Sequence, residues 1–400
     1  MENEGHITGG DLVLNGLVRR KPGTRCVALL ALLVAVAGLA LPIAGLAEDK
    51  AHPLVISLEP FGIPRGLFPN TRPFACFHMH AAGTRLFWLD PAHLFVAFTT
   101  NPPCTAKSDS EPARIRGIVF DRTGAKIASR DWAIQSDLTL FAGPGGTIVL
   151  WRGNSLEFFD GNLKTIDSGE LSEKPKGIWV TPLRRTIPLL TADGRNFEFY
   201  GTNPLKLIDT IGLDQSSEIN KVADWVPGDE RVAGSLCKEK SIYTCTKILV
   251  VTPDANFLSP DGAPWSYEET DKPVSLQPIG FLDSTHLLIS RQDRNFFHTP
   301  QLFIVRPTGV RMPVPGVGYS YTPDDLIGVA GSRFALEFLA QGMCDDCITG
   351  RRFVVGEMDA HKFLFEKNAS PYFSRAQLCP DGKSIAILDN DEISIYALPE

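Results

Sequence analysis

The sequence predicts an all-β protein, a seven-bladed β-propeller, and three observations support this prediction. Beyond residue 47, no long segment shows the 3.6-residue periodicity of a helix. Short strands with alternating or continuous apolar residues follow one another instead, in a chain that contains 35 Gly and 30 Pro. One alternating strand recurs about every 40–50 residues, which is the period of a propeller whose blades have four strands each.

The recurring strand sets the predicted number of blades. It begins at residues 114, 155, 196, 247, 301, 351 and 392, so the intervals are 41, 41, 51, 54, 50 and 41 residues. Insertions in hairpin loops explain the longer intervals, and they fall at residues 238–244, 292–300 and 340–350. Seven occurrences predict seven blades within residues 52–400.

The last unit, residues 374–400, contains three strands and two turns and lacks a fourth strand. Residues 52–59 alternate apolar and polar side chains and supply a spare strand. We predict that this N-terminal strand pairs with residues 392–398 and closes the ring at the C-terminal blade. Closure would remove unpaired strand edges, which otherwise pair with other chains.

The same unit carries a family signature. Its turn Cys379-Pro380-Asp381-Gly382-Lys383 is followed by the apolar strand 384–388 and by Ile393-Ser394-Ile395-Tyr396. These residues resemble the WD40-like repeats of the TolB-type propeller family, although the family turn usually has Ser where Cys379 stands. The resemblance implies a propeller fold and implies little about activity, because propellers include both enzymes and binding modules.

The N-terminal residues are predicted to be a targeting segment. Residues 1–25 are polar and contain Arg19, Arg20, Lys21 and Arg25, and we expect them to be disordered on the cytoplasmic side. Residues 26–47 carry no charge, and a run of about 20 apolar residues is long enough to span a bilayer. Small residues before Glu48 are typical of a cleavage region. A cleaved signal peptide and a retained signal-anchor transmembrane helix both stay open, and both predict export to the periplasm, the cell envelope or the medium.

Charge and motifs exclude several classes of function. The formal net charge is −7, and no cluster of Lys or Arg follows residue 25, so nucleic acid is not an expected partner. The chain has no G-x-S-x-G motif, no phosphate loop and no dinucleotide fingerprint. No cofactor is predicted, and contact with a membrane is expected only through residues 26–47 if they are retained.

Export favours disulfide bonds. The candidate pairs are Cys237 with Cys245 across a hairpin, Cys344 with Cys347 in a C-x-x-C sequence, and Cys76 with Cys104. Cys379 is then left over, and we predict that it is a buried, small apolar residue.

Cys76, His78 and His80 form the sharpest local group of candidate metal ligands. On a strand the three side chains would share one face, which suits zinc or copper. Pro73 and Gly83 on either side favour a loop, where that geometry is lost, so we predict a structural role and keep metal binding as an alternative.

Two aromatic residues are candidates for ligand recognition. Trp265 and Tyr267 follow Pro264 in a predicted loop, and Trp and Tyr are frequent in binding hot spots. Trp179 and Trp225, by contrast, are predicted to belong to the core.

These observations predict an exported, non-enzymatic propeller that acts as a protein- or glycan-binding scaffold at the cell envelope. The alternative is a propeller enzyme, such as a lyase, a lactonase or a metal-dependent hydrolase, with a polar site at the central channel. The residues that line the channel decide between them. A cluster of His, Asp, Glu or Arg together with a bound ion would favour an enzyme, and an axis lined by small and apolar residues would exclude one.

Overall fold

A computed structural model describes most of the chain from residue 52 onward. The described residues are 52–63, 84–100, 114–133, 138–182, 184–202, 204–212, 218–222, 232–237, 247–251, 266–269, 274–293, 300–316, 321–341, 348–359, 362–371 and 374–400. The predicted segments 1–25 and 26–47 lie outside them. Within the ranges given, no helix is both long and apolar enough to cross a membrane.

The described chain is all-β and has the architecture of a β-propeller. Its 28 strands form seven four-stranded sheets, which we number 1 to 7 in chain order. The helical structure that is described consists of two single 3₁₀ turns, Glu59–Phe61 and Pro144–Gly146.

The strands of sheets 1 to 6 follow the chain from the first strand to the fourth. Sheet 1 contains β2 (Arg85–Asp90), β3 (His93–Thr100), β4 (Arg114–Asp121) and β5 (Lys126–Ala133). Sheet 2 contains β6 (Leu138–Gly143), β7 (Thr147–Arg152), β8 (Ser155–Phe159) and β9 (Thr165–Glu170). Sheet 3 contains β10 (Gly177–Ile178), β11 (Thr186–Leu190), β12 (Asn196–Thr202) and β13 (Leu205–Gly212).

The second half of the chain repeats this order. Sheet 4 contains β14 (Glu218–Val222), β15 (Val232–Cys237), β16 (Lys247–Val251) and β17 (Ser266–Glu268). Sheet 5 contains β18 (Val274–Phe281), β19 (Leu287–Asp293), β20 (Gln301–Val305) and β21 (Arg311–Pro313). Sheet 6 contains β22 (Tyr321–Ala330), β23 (Arg333–Gln341), β24 (Ile348–Glu357) and β25 (Phe365–Ala369).

Sheet 7 combines both ends of the described chain. It contains β26 (Ser374–Leu378), β27 (Ser384–Asp389), β28 (Glu392–Ala397) and, as its fourth strand, β1 (Leu54–Ser57). Strand β1 is antiparallel to β28, with Leu54 opposite Ile395 and Ser57 opposite Glu392. The pairing predicted between the two terminal segments is therefore present.

Each recurring strand of the sequence is the third strand of a sheet. The seven are β4, β8, β12, β16, β20, β24 and β28. In β28, Ile393 and Ile395 are buried while Glu392 is exposed, which is the alternation expected of a strand with one face in the core. The repeat found in the sequence therefore corresponds to the same strand position in each sheet.

The first strands of the sheets lie next to one another. Strand β2 contacts β26 and β6, β18 contacts β14 and β22, and β22 contacts β26. Sheets that meet along their first strands surround an axis, which is the arrangement of propeller blades.

Six hydrophobic clusters fill the spaces between neighbouring sheets. They join sheets 7 and 1, 1 and 2, 2 and 3, 4 and 5, 5 and 6, and 6 and 7. Within the described ranges, no cluster joins sheets 3 and 4. Complete closure of a seven-bladed ring therefore stays a prediction.

Aspartate side chains stabilise several hairpin turns. Asp121 Oδ1 accepts hydrogen bonds from the backbone N–H of Thr123 at 2.8 Å and of Ala125 at 2.9 Å. In the turn of the last unit, Asp381 Oδ1 accepts from Lys383 N at 2.9 Å, and Gly382 has a φ of 69°. The turn chemistry predicted for this segment is confirmed.

Candidate functional site

The first strands enclose a cavity of about 460 Å³. Residues 85–87 of β2, 140–142 of β6, 178–182 at and after β10, 324–327 of β22 and 375–377 of β26 line its wall. Glu337 of β23 and Arg351 of β24 complete it. The cavity therefore lies where five of the seven sheets meet, and three arginines and three carboxylates face it.

Two of the arginines occupy equivalent places in neighbouring sheets. Arg85 follows Thr84 at the start of β2, and Arg375 follows Ser374 at the start of β26. In each, Nη1 donates to the carbonyl oxygen of the preceding residue at 2.9 Å. Arg85 Nε also donates to Leu140 O at 3.2 Å, which ties its side chain to sheet 2. The backbone thus fixes both guanidinium groups.

The two aspartates reach the cavity because β22 is irregular. Its pairing with β23 shifts register between Pro323 and Asp325 and again between Leu326 and Gly328. A bulge places consecutive side chains on one side of a strand, which regular pleating does not allow. Asp324 and Asp325 can therefore both face the cavity.

Gly328 brings β22 close to the neighbouring sheet. Its φ is 156°, and a Cβ at this position would lie 2.6 Å from Leu378 Cβ. Any larger residue would separate β22 from β26, the strand that carries Arg375 and Gln377. The glycine therefore helps to set the width of the cavity at this point.

The third arginine is paired. Arg351 forms an ion pair with Glu337, and its Nε donates to Pro371 O at 2.8 Å. Glu337 is 5% exposed, so the pair is largely removed from water. Buried ion pairs of this kind fix geometry more than they add stability.

Burial lowers the pKa of all three guanidinium groups. Burial and, as a smaller effect, the nearby charge of Arg375 lower the pKa of Arg85 to about 10. Burial, followed by the charge of Arg375, brings the pKa of Arg351 to about 10, against the opposite effect of Asp324. Burial also lowers the pKa of Arg375, while Asp324 and Asp325 act to raise it. All three remain protonated at neutral pH, so the cavity contains real positive charge.

Two neutral polar groups of the cavity wall have no partner among the residues that the structure describes. Gln377 is 7% exposed and Thr181 is 3% exposed. Gln377 Oε1 and Thr181 Oγ1 have no hydrogen-bond partner within the described part of the chain. A buried polar group without a partner costs about 1–3 kcal/mol, so a ligand that supplies the missing bonds would gain from them.

A second charged cluster is complete in itself. Glu269 accepts hydrogen bonds from Arg291 at 2.8 Å, Arg311 at 2.9 Å and the Tyr267 hydroxyl at 2.7 Å. Arg291 also pairs with Asp293 at 2.8 Å. These residues join sheet 5 to the end of sheet 4, and we call them the Glu269 cluster. Its charges are matched, which is what a structural connection requires.

Most of the sites predicted from the sequence lie outside the described residues. They are Cys76, His78, His80, Cys104, Cys245, Trp265, Cys344 and Cys347. Cys237 ends strand β15, and its side chain is not among those described. The disulfide, metal and Trp265 hypotheses therefore stay predictions. Across the ranges that the structure covers, no group of three or more His, Cys, Asp or Glu could hold a metal ion.

Three other predicted residues are described. Cys379 is a free, fully buried cysteine, which confirms its predicted place in the core. Tyr267 was predicted to lie in a loop, and it instead lies half-buried in β17, where its ring packs against the cluster between sheets 4 and 5. Its role in recognition stays a prediction. Trp179, which was predicted to be core, stacks edge-on against Phe197 and also lines the cavity.

Reasoning from the sequence missed the charged cavity residues. One signal was present: the Thr84-Arg85 and Ser374-Arg375 pairs repeat at the start of two first strands. The period of the sequence is clearest in the third strands, which are apolar and regular, whereas these arginines lie in first strands. An alignment of first strands would have brought the two arginines together.

Comparisons with known proteins support the fold. No protein-family model and no curated protein matches the chain, so the resemblance of residues 374–400 to TolB-type repeats stays a prediction. Among solved structures, the chain is similar to the hydrazine synthase of Kuenenia stuttgartiensis, with a TM-score of 0.50 and 13% identity over 83% of this chain and 98% of that one.

Two further structures are similar at lower scores. The β-propeller domain of Cps50 (Swd1) from Myceliophteria thermophila has a TM-score of 0.48 and 10% identity, over 80% of this chain and 97% of that one. Raptor from Chaetomium thermophilum has a TM-score of 0.47 and 10% identity, over 80% of this chain and 30% of that one. At these identities the likeness concerns the fold alone.

Proposed function

We propose that this protein is an exported β-propeller that acts as a non-enzymatic binding scaffold at the cell envelope. Its ligand is a protein segment or a glycan, and the cavity formed by the first strands receives it. The observation that carries this proposal is the cavity wall, where Gln377 and Thr181 offer polar groups without a partner in the described chain. Arg85 in the same wall donates to backbone carbonyls alone within the described ranges.

Export is supported by the sequence. Basic residues precede the uncharged apolar run 26–47, which is the order of a signal peptide or a signal anchor. Fusion of residues 1–60 to a reporter enzyme that is active only outside the cytoplasm tests this part. Activity that is lost when residues 26–47 are deleted supports export, and activity that survives the deletion contradicts it.

A binding panel tests the scaffold. The full-length protein is immobilised and exposed to arrays of glycans and of peptides, beside the Arg85→Met and Arg195→Met variants. Arg195 is exposed in the turn between β11 and β12, so its substitution removes the same charge away from the cavity. We expect a ligand that binds the wild type and Arg195→Met and is lost in Arg85→Met. Equal binding by all three proteins would contradict a role for the cavity.

The charged wall also favours a second candidate, a propeller enzyme with its site in this cavity. Asp324, Asp325 and Glu337 are carboxylates of the kind that serve as general acids or bases. Each ligand found in the panel is therefore incubated with the protein and analysed by mass spectrometry. Turnover by the wild type that disappears in Asp324→Asn would favour the enzyme over the scaffold. A ligand that stays chemically unchanged supports the scaffold.

We further propose that the seven sheets are the blades of one closed ring, fastened by the pairing of β1 with β28. Deletion of residues 392–400 removes β28 and exposes the edges of β27 and β1. If the ring closes, this deletion lowers the urea midpoint of the whole propeller in one transition. Loss confined to a small, separate transition would contradict closure.

A further inference from the structure

We infer that the cavity recognises the carboxylate of a hydroxylated acid, such as an acidic sugar, with Arg85 as the residue that binds the carboxylate. This inference rests on the proposed binding function and narrows its ligand class. It follows from the ion pairing of the wall, from the charge that the neighbouring carboxylates allow the ligand to carry, and from the neutral groups beside Arg85.

The ion pairing of the wall singles out Arg85. Arg351 is paired with Glu337, and Asp324 and Asp325 act on Arg375. The bonds described for Arg85 run to the carbonyl oxygens of Thr84 and Leu140, and no carboxylate within the described ranges lies at ion-pair distance. A half-buried cation whose partners within the described ranges are only carbonyl groups gains from an anion, because burial has removed part of its hydration.

The neighbouring carboxylates select the anion. Asp324 and Asp325 face the same cavity, and they repel a ligand group that carries two negative charges. A phosphate has up to two charges at neutral pH, whereas a carboxylate has one and fits the planar fork of a guanidinium group. The wall therefore favours a monocarboxylate over a phosphate.

The neutral groups specify the rest of the ligand. Gln377 Oε1 is an acceptor to which no described residue donates, and it lies on β26 two residues from Arg375. Thr181 Oγ1 can donate or accept, and Trp179 adds an aromatic ring to the same wall. Sugar hydroxyls act as both donors and acceptors, so a sugar that bears a carboxylate satisfies all of these groups. The volume of about 460 Å³ lies within the range of small-molecule sites.

Three ligands that differ in one group test the inference. Isothermal titration of the full-length protein is performed with D-glucuronate, D-glucose and D-glucose 6-phosphate. We expect glucuronate to bind at least about tenfold more tightly than the other two, since one charge-assisted bidentate contact is worth that factor or more. An aspartate-containing peptide is titrated as a fourth ligand.

Two variants separate the roles of the wall residues. Arg85→Met is expected to abolish the preference for glucuronate over glucose, while Arg195→Met retains it. Gln377→Leu has a similar volume and removes the acceptor, so it is expected to weaken glucuronate several-fold and to leave cyclohexanecarboxylate, which has no hydroxyl groups, unchanged. Thermal unfolding confirms that each variant is folded before its affinity is interpreted.

Each outcome has a consequence. Tighter binding of glucose 6-phosphate, or equal binding of all three sugars, overturns the carboxylate assignment. A preference for the acidic peptide over glucuronate overturns the sugar assignment. If none of these probes binds but the panel of glycans and peptides yields a ligand dependent on Arg85, the inference fails and the proposed function stands. If that panel also yields nothing, both fail.

Discussion

Two clusters of arginine and carboxylate groups show how similar residues serve different purposes in this propeller. In the Glu269 cluster, one carboxylate accepts from two guanidinium groups and a phenol, and a second acid shares Arg291. In the cavity, Arg85 donates only to backbone carbonyls within the described ranges, and Gln377 Oε1 accepts nothing. Completeness of partners, rather than residue type, distinguishes a structural connection from a candidate site.

The pKa shifts of the two clusters also differ. Burial acts to raise the pKa of Glu269, but hydrogen bonds from Arg291 and Tyr267 outweigh it and the net pKa is lowered. Burial and the bond to Glu269 raise the pKa of Tyr267 to about 12. In the cavity, the pKa of Arg85 is lowered, so its charged form is disfavoured there. The Glu269 cluster stabilises the charged form of its carboxylate, whereas the charged form of Arg85 would be stabilised by an anionic ligand.

The largest expected effect comes from breaking the complete cluster. Glu269→Ala leaves Arg311 and the Tyr267 hydroxyl without their acceptor, and Arg291 with Asp293 alone. We expect the free energy of unfolding to fall by about 2–3 kcal/mol, measured by urea denaturation at pH 7. A loss below about 0.5 kcal/mol would show that the cluster does not connect the sheets energetically.

The same variant has a defined pH dependence. The folded-state pKa of Glu269 lies below its unfolded value, so its ionised form stabilises the fold above the unfolded pKa. This contribution is lost as the pH falls through the folded-state pKa. The difference in stability between the wild type and Glu269→Ala should therefore narrow in acid, and a constant difference would point to lost packing instead.

Substitution of Arg85 in the cavity should change the free energy of unfolding in the opposite direction to Glu269→Ala. Arg85→Met removes a half-buried cation that has no carboxylate partner within the described ranges, and it keeps most of the side-chain volume. We expect stability to rise by up to about 1 kcal/mol while binding is lost, because replacement of poorly compensated buried charge by apolar groups is often stabilising. A loss above about 2 kcal/mol in urea denaturation would place Arg85 with the structural arginines.

An intermediate case lies at the turn between β27 and β28. Burial raises the pKa of Asp389, and the charges of Asp391 and Glu392 add to this, although Ser370 and Lys367 oppose it. Because the folded-state pKa exceeds the unfolded value, stability falls as the pH rises from the unfolded pKa through the folded one. We expect Asp389→Asn to gain roughly 0.5 kcal/mol at pH 7 and nothing at pH 3. A gain that is the same at both values would contradict this origin.

The smallest effect is expected at the surface. Arg352 Nη1 lies 3.7 Å from Glu366 Oε2, and the Glu366 side chain is 49% exposed. Glu366→Gln should change stability by less than about 0.5 kcal/mol, because water and salt screen exposed pairs. It is the control for Glu269→Ala, and equal losses in the two would remove the contrast between complete and surface pairs.

The sequence predicted the parts of the fold that depend on regular packing. Third strands such as β28 alternate because one face is always buried, and the pairing of β1 with β28 followed from a missing strand. The cavity residues escaped this reasoning for a physical reason. Asp324 and Asp325 face it through a bulge, and bulges break the two-residue period on which strand prediction depends.

The sequence therefore predicted where a site could lie, at the central channel, but not which residues line it. Arg85 and Arg375 lie at strand starts, where single charged residues are common and carry no signal alone. Their meaning depends on the neighbours that folding provides, namely Leu140 from sheet 2 and Asp324 from sheet 6. Such contacts between distant segments are not readable from one sequence.

The composition of sheet 7 has a consequence for the order of folding. Its strands β1 and β28 come from opposite ends of the described chain, so their pairing has a very long sequence separation. Long-range pairing is slow, and an unpaired strand edge is prone to aggregation while it waits. If the chain emerges from its N-terminus into a new compartment, β1 appears first and must remain unpaired until β28 arrives. Strand β1 is then the segment that a chaperone needs to shield until β28 pairs with it.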